Sequence, residues 1–257
     1  MEPVDDELVQ RFLTDGFVKI DGAVPPAVAD DCARLLWRET GYEPGDPGTW
    51  QDPVVWVGEM PQEPFDAAVN SPVLHEAFDQ LVGPGRWMPR RSLGGFPLRF
   101  PHPQKPDDAG WHIEGSYLPE GATWHYANLR SRDRALLMLF LFSEVTEADA
   151  PTRIRLGSHL DVPPLLEPYG EAGASILRLA PRLDRASAHR PLAYATGRPG
   201  DVYLCHPFLV HAAQPHHGTR PRFMAQPPLM PAVPYELERA DGAYAPVEIA
   251  IRRGLGR

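Results

Sequence analysis

Beyond Gly85 short apolar or alternating runs alternate with proline and glycine punctuation. The 257 residues include 31 prolines and 22 glycines, with proline at more than twice its usual share. Between these breakers stand short apolar or alternating runs: Leu98-Arg99-Phe100, Trp111 to Tyr117, Leu136 to Phe142, Ile154-Arg155-Leu156, Val202 to Cys205, Phe208 to Val210 and Phe223-Met224. Many short strands separated by turn signals predict a sandwich or barrel. The prolines at 101, 103 and 106, and again at 163, 164 and 168, fall where strand connections are expected.

The first third has a different texture. Leu8, Phe12 and Leu13 form an apolar stripe, predicting a helix from Asp5 to Thr14 that Gly16 stops. Phe17 to Ile20 reads as a strand. Pro25-Pro26 then opens a second helix over 27–39, because proline is tolerated in a first turn. A third helix is expected from Pro72 to Leu81. The fold class expected is therefore mostly β with flanking helices. One domain spans 1–257, with 1–84 as a helical flank, 85–230 as the β core and some helix within 161–192.

Composition excludes several classes. A hydrophobic share of 43% with 23% charged suits a soluble globular chain. The net charge of −9 argues against nucleic acid or an anionic membrane as partner, since both need a positive face. The longest apolar run, Ala135 to Phe142, is too short to span a bilayer. Met1 to Glu7 is acidic, with no apolar run behind a basic start, so no signal peptide is expected. Two cysteines, Cys32 and Cys205, make neither a disulfide framework nor a thiolate metal site. A cytoplasmic location is expected.

The chemistry lies in two segments. In Gly110-Trp111-His112-Ile113-Glu114-Gly115, an extended backbone would point His112 and Glu114 to the same face. In Gly200 to His211, His211 closes an apolar run and is expected to be enclosed. Two imidazoles and one carboxylate leave open positions on an octahedral ion, an arrangement that suits Fe(II) binding a chelating co-substrate together with dioxygen. Arg220 and Arg222 follow. An enclosed guanidinium near such a metal would receive one carboxylate of a dicarboxylate whose other end chelates the ion. Each element alone has an ordinary explanation: a chance H-x-E, a hydrogen-bonded core histidine, a surface arginine. Their occurrence in order within a β-rich region gives them weight. There is no P-loop, no dinucleotide glycine motif and no nucleophile elbow.

These segments resemble the phytanoyl-CoA dioxygenase-like family of Fe(II)/2-oxoglutarate-dependent oxygenases. "DGFVKIDGAVPPAVADDCARLL" resembles the family's opening helix, strand and helix. "GWHIEGSY" stands where the family has H-x-D, and "DAPTRIRLGSHL" is similar to its Gly-Ser-His segment. "GDVYLCHPFLVHAAQPHHGTRPRF" resembles its distal-histidine segment, with Arg222 eleven residues after His211. The resemblance implies a double-stranded β-helix, a jelly-roll relative of the cupins. It implies Fe(II) held by His112, Glu114 and His211, with 2-oxoglutarate anchored by Arg222. Oxidative decarboxylation would then give succinate and carbon dioxide and power attack on an unactivated C–H bond. Three positions depart from the pattern: Glu114 replaces the usual Asp, Ala213 a common Ser, and His216 a common Asn. The retained carboxylate separates the chain from the family's halogenases.

Trp111, Tyr117, Trp124, His159 and His206 are the candidate substrate contacts, each also readable as core. Arg130, Arg132 and Arg134 alternate before an apolar strand and are candidates for an anionic substrate or a solvated edge. With only two lysines, Lys19 and Lys105, and no distinct basic patch for a CoA phosphate, a small metabolite is expected over an acyl-CoA. Two rival readings remain: a redox-neutral metalloenzyme on a cupin-like barrel, and a non-catalytic binding module.

Overall fold

A computed structural model describes residues 6–104 and 107–257. Asp5, expected to open the first helix, and Pro106, expected in a connection, lie outside the described residues. The N-terminal part runs α1 (Asp6–Asp15), β1 (Phe17–Ile20), α2 (Pro26–Thr40), β2 (Val54–Val57), α3 (Glu63–Val69) and α4 (Pro72–Val82). There follow β3 (Trp87–Met88), β4 (Phe96–Arg99), β5 (Tyr126–Ala127), β6 (Leu136–Leu141), β7 (Arg153–Arg155) and α5 (Pro163–Leu166). The chain continues through β8 (Ala174–Ser175), α6 (Ile176–Ser187), β9 (Leu192–Tyr194), β10 (Val202–Cys205) and β11 (His211–Ala212), and closes with β12 (Met224–Ala225), β13 (Pro228–Pro231) and α7 (Pro246–Gly254).

The strand β6 organises the molecule. Antiparallel β10 pairs along one side of it, and β12 and β13 pair along the other. With β1 beyond β10 and β3 beyond β13, these make a six-stranded sheet. A smaller antiparallel sheet has the order β11-β7-β9. All six residues of β6 are buried, and they alternate between two cores. Leu136, Met138 and Phe140 pack with Phe12, Cys32, Leu36, Phe65 and Phe78 of the helical layer. Leu137, Leu139 and Leu141 pack with Ile154, Tyr203, Cys205 and Met224, between the two sheets. A strand covered on both faces needs apolar residues at every position, which is why this run does not alternate. The result is a jelly-roll core with helices on its outer face.

α7 was not foreseen, although Val247, Ala250 and Ile251 make a helical stripe and are all buried. It packs on α1 and α4, so the C-terminus completes the N-terminal helical layer. Glu248 fixes it. This fully buried carboxylate takes both terminal nitrogens of Arg86, and accepts from the backbone N–H groups of Glu236 at 2.8 Å and Ala245 at 2.9 Å. Among the described residues no helix is long and apolar enough to cross a membrane.

Candidate metal centre

The expected strand from Trp111 to Tyr117 is not continuous. His112 and Tyr117 make isolated bridges, to His211 and Tyr126, with irregular backbone between. The first bridge builds the centre. His112 and His211 exchange backbone N–H···O=C bonds of 3.0 Å each way, extending the sheet of β11 and β7 by one residue pair. The imidazole centroids are consequently 4.5 Å apart. Glu114 turns back to the same place: one donor atom from each of His112, Glu114 and His211 lies within 4.8 Å of the others.

Hydrogen bonds fix the donor atoms. Nδ1 of His112 lies 2.8 Å from the Gly110 carbonyl, and Nδ1 of His211 lies 2.9 Å from the Leu209 carbonyl. A carbonyl only accepts, so each Nδ1 carries a proton, which leaves each Nε2 as the atom able to ligate a metal. Burial, reinforced by His211, lowers the pKa of His112 and favours the neutral, metal-binding form. Burial pushes the Glu114 carboxyl up, but His211 and the Arg134 guanidinium more than reverse this and hold it well below the ordinary carboxylate range. Oε1 of Glu114 is 3.4 Å from His211 Nε2, and Oε2 is 3.6 Å from Arg134 Nη2. Two imidazoles and a carboxylate match the donor set of a facial two-histidine, one-carboxylate iron site.

The surroundings hold this geometry. Arg153, in β7, donates through Nη2 to the carbonyls of Ala109 and Ala213, both at 2.8 Å, clasping the two ligand-bearing segments together. Its guanidinium and that of Arg155 lie over the Trp111 ring, 4.8 and 4.1 Å from the centroid. Arg155 also reaches Asp184 and Ser187 and so ties α6 to the sheet. At Gly115 a Cβ would stand 2.2 Å from the Cβ of His125, so only glycine admits this approach beside Glu114.

A cavity of about 420 Å³ opens at His112 and Glu114. Trp111, Trp124, Ile176 and Leu177 give it apolar walls, and Asp107, Asp108, His125 and Arg134 are among its polar ones. Trp124 and Leu177 are both half exposed or more. Arg222 is 1% exposed. It bridges Arg99 in the backbone, Arg99 pairs with Asp108, and Asp108 lines the cavity. Arg222 Nη1 donates to the Ala150 carbonyl at 2.6 Å, its Nε has no partner, and no carboxylate is paired with it among the described residues. Ala150 has φ 51, a left-handed conformation that costs a non-glycine residue roughly 1–2 kcal/mol. Asp149 staples the turn before it by accepting from Thr146 N–H and hydroxyl.

Three expected substrate contacts lie elsewhere. Tyr117 is buried and its hydroxyl donates to the Ala172 carbonyl. His206 is fully buried, bonded to the Val247 carbonyl and the Phe208 N–H. His159 is fully buried beside it, with ring centroids 5.2 Å apart. None of the three lines the cavity; all are core side chains. Trp111 and Trp124 do line it. His216 supports its own loop by accepting from Gly218 N–H at 3.2 Å. Arg134 is the residue sequence reasoning did not separate from Arg130 and Arg132.

The sequence profile of the phytanoyl-CoA dioxygenase (PhyH) family matches residues 12–224. The chain belongs to this family. Among solved structures it is similar to SnoK, a non-heme alpha-ketoglutarate-dependent carbocyclase from nogalamycin biosynthesis. The two share 18% identity over 93% of this chain and 88% of that one, with a TM-score of 0.61. It is also similar to the epimerase SnoN in complex with Fe3+, alpha ketoglutarate and nogalamycin RO (17% identity, 86% and 81% covered, TM-score 0.58). A third is HygX from Streptomyces hygroscopicus with nickel, 2-oxoglutarate and hygromycin B bound (17% identity, 86% and 84% covered, TM-score 0.54). At these identities the likeness is one of fold. Curated proteins give no match.

Proposed function

We propose that this PhyH-family protein is a cytoplasmic Fe(II)/2-oxoglutarate-dependent oxygenase of a small metabolite or natural-product intermediate, hydroxylating, desaturating or cyclising it with release of succinate and carbon dioxide. The observation that carries the reading is the triad, in which His112, Glu114 and His211 converge with both histidines locked in the metal-binding tautomer. These three would hold iron, which supplies dioxygen activation when bound.

Arg222 is the anchor for the far carboxylate of 2-oxoglutarate. A buried guanidinium with no carboxylate paired directly to it among the described residues is costly, and a carboxylate arriving between Arg222 and the metal relieves that cost. This distinguishes the oxygenase from a redox-neutral metalloenzyme, which has no use for an enclosed anion receptor. The walls at Trp111, Trp124, Ile176 and Leu177 fit a substrate with a flat or apolar ring face, and the cavity volume fits a small molecule. The two cysteines are free and buried, which supports a reducing compartment.

The test is succinate formation from 2-oxoglutarate with Fe(II) and oxygen. His112→Ala and His211→Ala should each abolish it, and retained turnover in either variant would remove the triad from the mechanism.

A further inference from the structure

Glu114 is one methylene longer than the aspartate expected at its position, and a longer carboxylate more easily turns both oxygens to one ion. A second coordinated oxygen would occupy a position that a chelating co-substrate needs. The structure divides the two oxygens. Oε1 faces His211 Nε2 at 3.4 Å, inside the donor cluster, while Oε2 faces Arg134 Nη2 at 3.6 Å.

Arg134 is suited to that single task. Its side chain is only 12% exposed, and among the described residues Glu114 is the one carboxylate paired with it. Among the described residues its Nε and Nη1 have no hydrogen-bond partner, so no other group there holds the guanidinium. The backbone puts it in place. Arg134 N–H bonds the Ser131 carbonyl at 3.0 Å, and the Ser131 hydroxyl donates to the Arg134 carbonyl at 2.6 Å. Ser131 takes the left-handed φ of 43 to close this turn immediately before β6. A strained turn therefore presents one buried cation to one oxygen of one metal ligand.

We propose that Arg134 is a positioning residue that restrains Glu114 to coordinate through Oε1 alone, keeping a position open for 2-oxoglutarate. The inference rests on the proposed iron site. Removing Arg134 has opposite consequences for two ligands. Iron loses a neighbouring positive charge and gains a second carboxylate oxygen, so it binds more tightly. The co-substrate must compete with that oxygen, so it binds less tightly. A general loosening of the fold would weaken both.

The experiment is anaerobic titration of wild type, Arg134→Gln and Arg134→Lys with Fe(II), then with 2-oxoglutarate, reading the visible charge-transfer band. For Arg134→Gln, Fe(II) should bind about tenfold more tightly. Its 2-oxoglutarate affinity should fall about 10- to 100-fold, with a shifted band, and Arg134→Lys should recover part of the loss. In a Glu114→Asp background, where the shorter side chain does not reach Arg134, the same Arg134→Gln change should alter 2-oxoglutarate binding by less than about threefold, a departure from additivity. Parallel weakening of both ligands, unchanged constants, or an equal effect in the Glu114→Asp background would each overturn the proposal. Unchanged constants with a raised KM for the organic substrate would make Arg134 a substrate anchor instead. Absence of the band in wild type would instead refute the iron site itself.

Discussion

Replacing Arg222 by methionine should raise stability and destroy co-substrate binding together. The guanidinium is enclosed, lies near the like-charged Arg99, and among the described residues has one hydrogen bond, to the Ala150 carbonyl. Burial and then Arg99 oppose its charged form, yet an arginine keeps its proton, so the cost remains in the fold. Exchanging a buried ion for an apolar side chain of similar volume is neutral to stabilising by about 1–4 kcal/mol. Against that, the Ala150 carbonyl loses its donor, at roughly 1–3 kcal/mol. The midpoints of these ranges favour Arg222→Met by about 0.5 kcal/mol, which for a chain of this size raises Tm by roughly 1–2 °C. With metal present, 2-oxoglutarate at a hundred times its Kd should stabilise wild type by about 2.7 kcal/mol and the variant hardly at all. The order of melting temperatures should therefore reverse when 2-oxoglutarate is added, measured by scanning fluorimetry at fixed protein and metal concentrations. A variant that melts well below wild type without 2-oxoglutarate, or that keeps the wild-type ligand shift, would show that Arg222 is not an unpaired receptor for the co-substrate.

Two further predictions concern the helical layer. Burial raises the Glu248 carboxyl, but Arg86 and two backbone N–H groups outweigh this and leave it below its ordinary value of 4.5. Its contribution is therefore complete above about pH 4.5 and lost as pH falls through the lower folded value. Glu248→Gln strands Arg86 and should cost about 3–5 kcal/mol by denaturant unfolding at pH 7; a loss under 1 kcal/mol would show that the pair does not anchor α7. Burial pushes His206 down to about 4. The unfolded chain, titrating near 6.5, binds the extra proton first, so stability should decline by about 3 kcal/mol between pH 6.5 and 4. In His206→Gln that decline should shrink, and an unchanged pH profile would contradict the assignment.

Much of the scaffold was legible because its signals are local. Phe17–Ile20 and Val202–Cys205 are strands with the expected limits, and Pro26–Thr40 and Pro72–Val82 are helices close to theirs. Leu136 to Phe142, expected as a strand, is one over Leu136–Leu141, and its burial on both faces explains why the run does not alternate. What was missed depended on distant contacts. β2 and α3 are too short to show a period, and α7 is specified by Glu248 meeting Arg86 across the chain. His112 and Glu114 converge, though not along a regular strand; a backbone exchange with His211 sets them. His159 and His206 looked like pocket residues because histidine is polar, yet each is held inside the helical side of the core. Which of three alternating arginines meets Glu114 is decided by the left-handed turn at Ser131, which composition does not reveal.

The triad and Arg222 are proposed to hold iron and 2-oxoglutarate together. The most direct measurement is the visible absorption of anaerobic wild-type protein as 2-oxoglutarate is added to the Fe(II) form. A saturable charge-transfer band at one equivalent is expected, lost in His211→Ala and requiring far higher 2-oxoglutarate in Arg222→Met. No band in wild type, or a band unaffected by both substitutions, would show that these residues do not hold iron and 2-oxoglutarate.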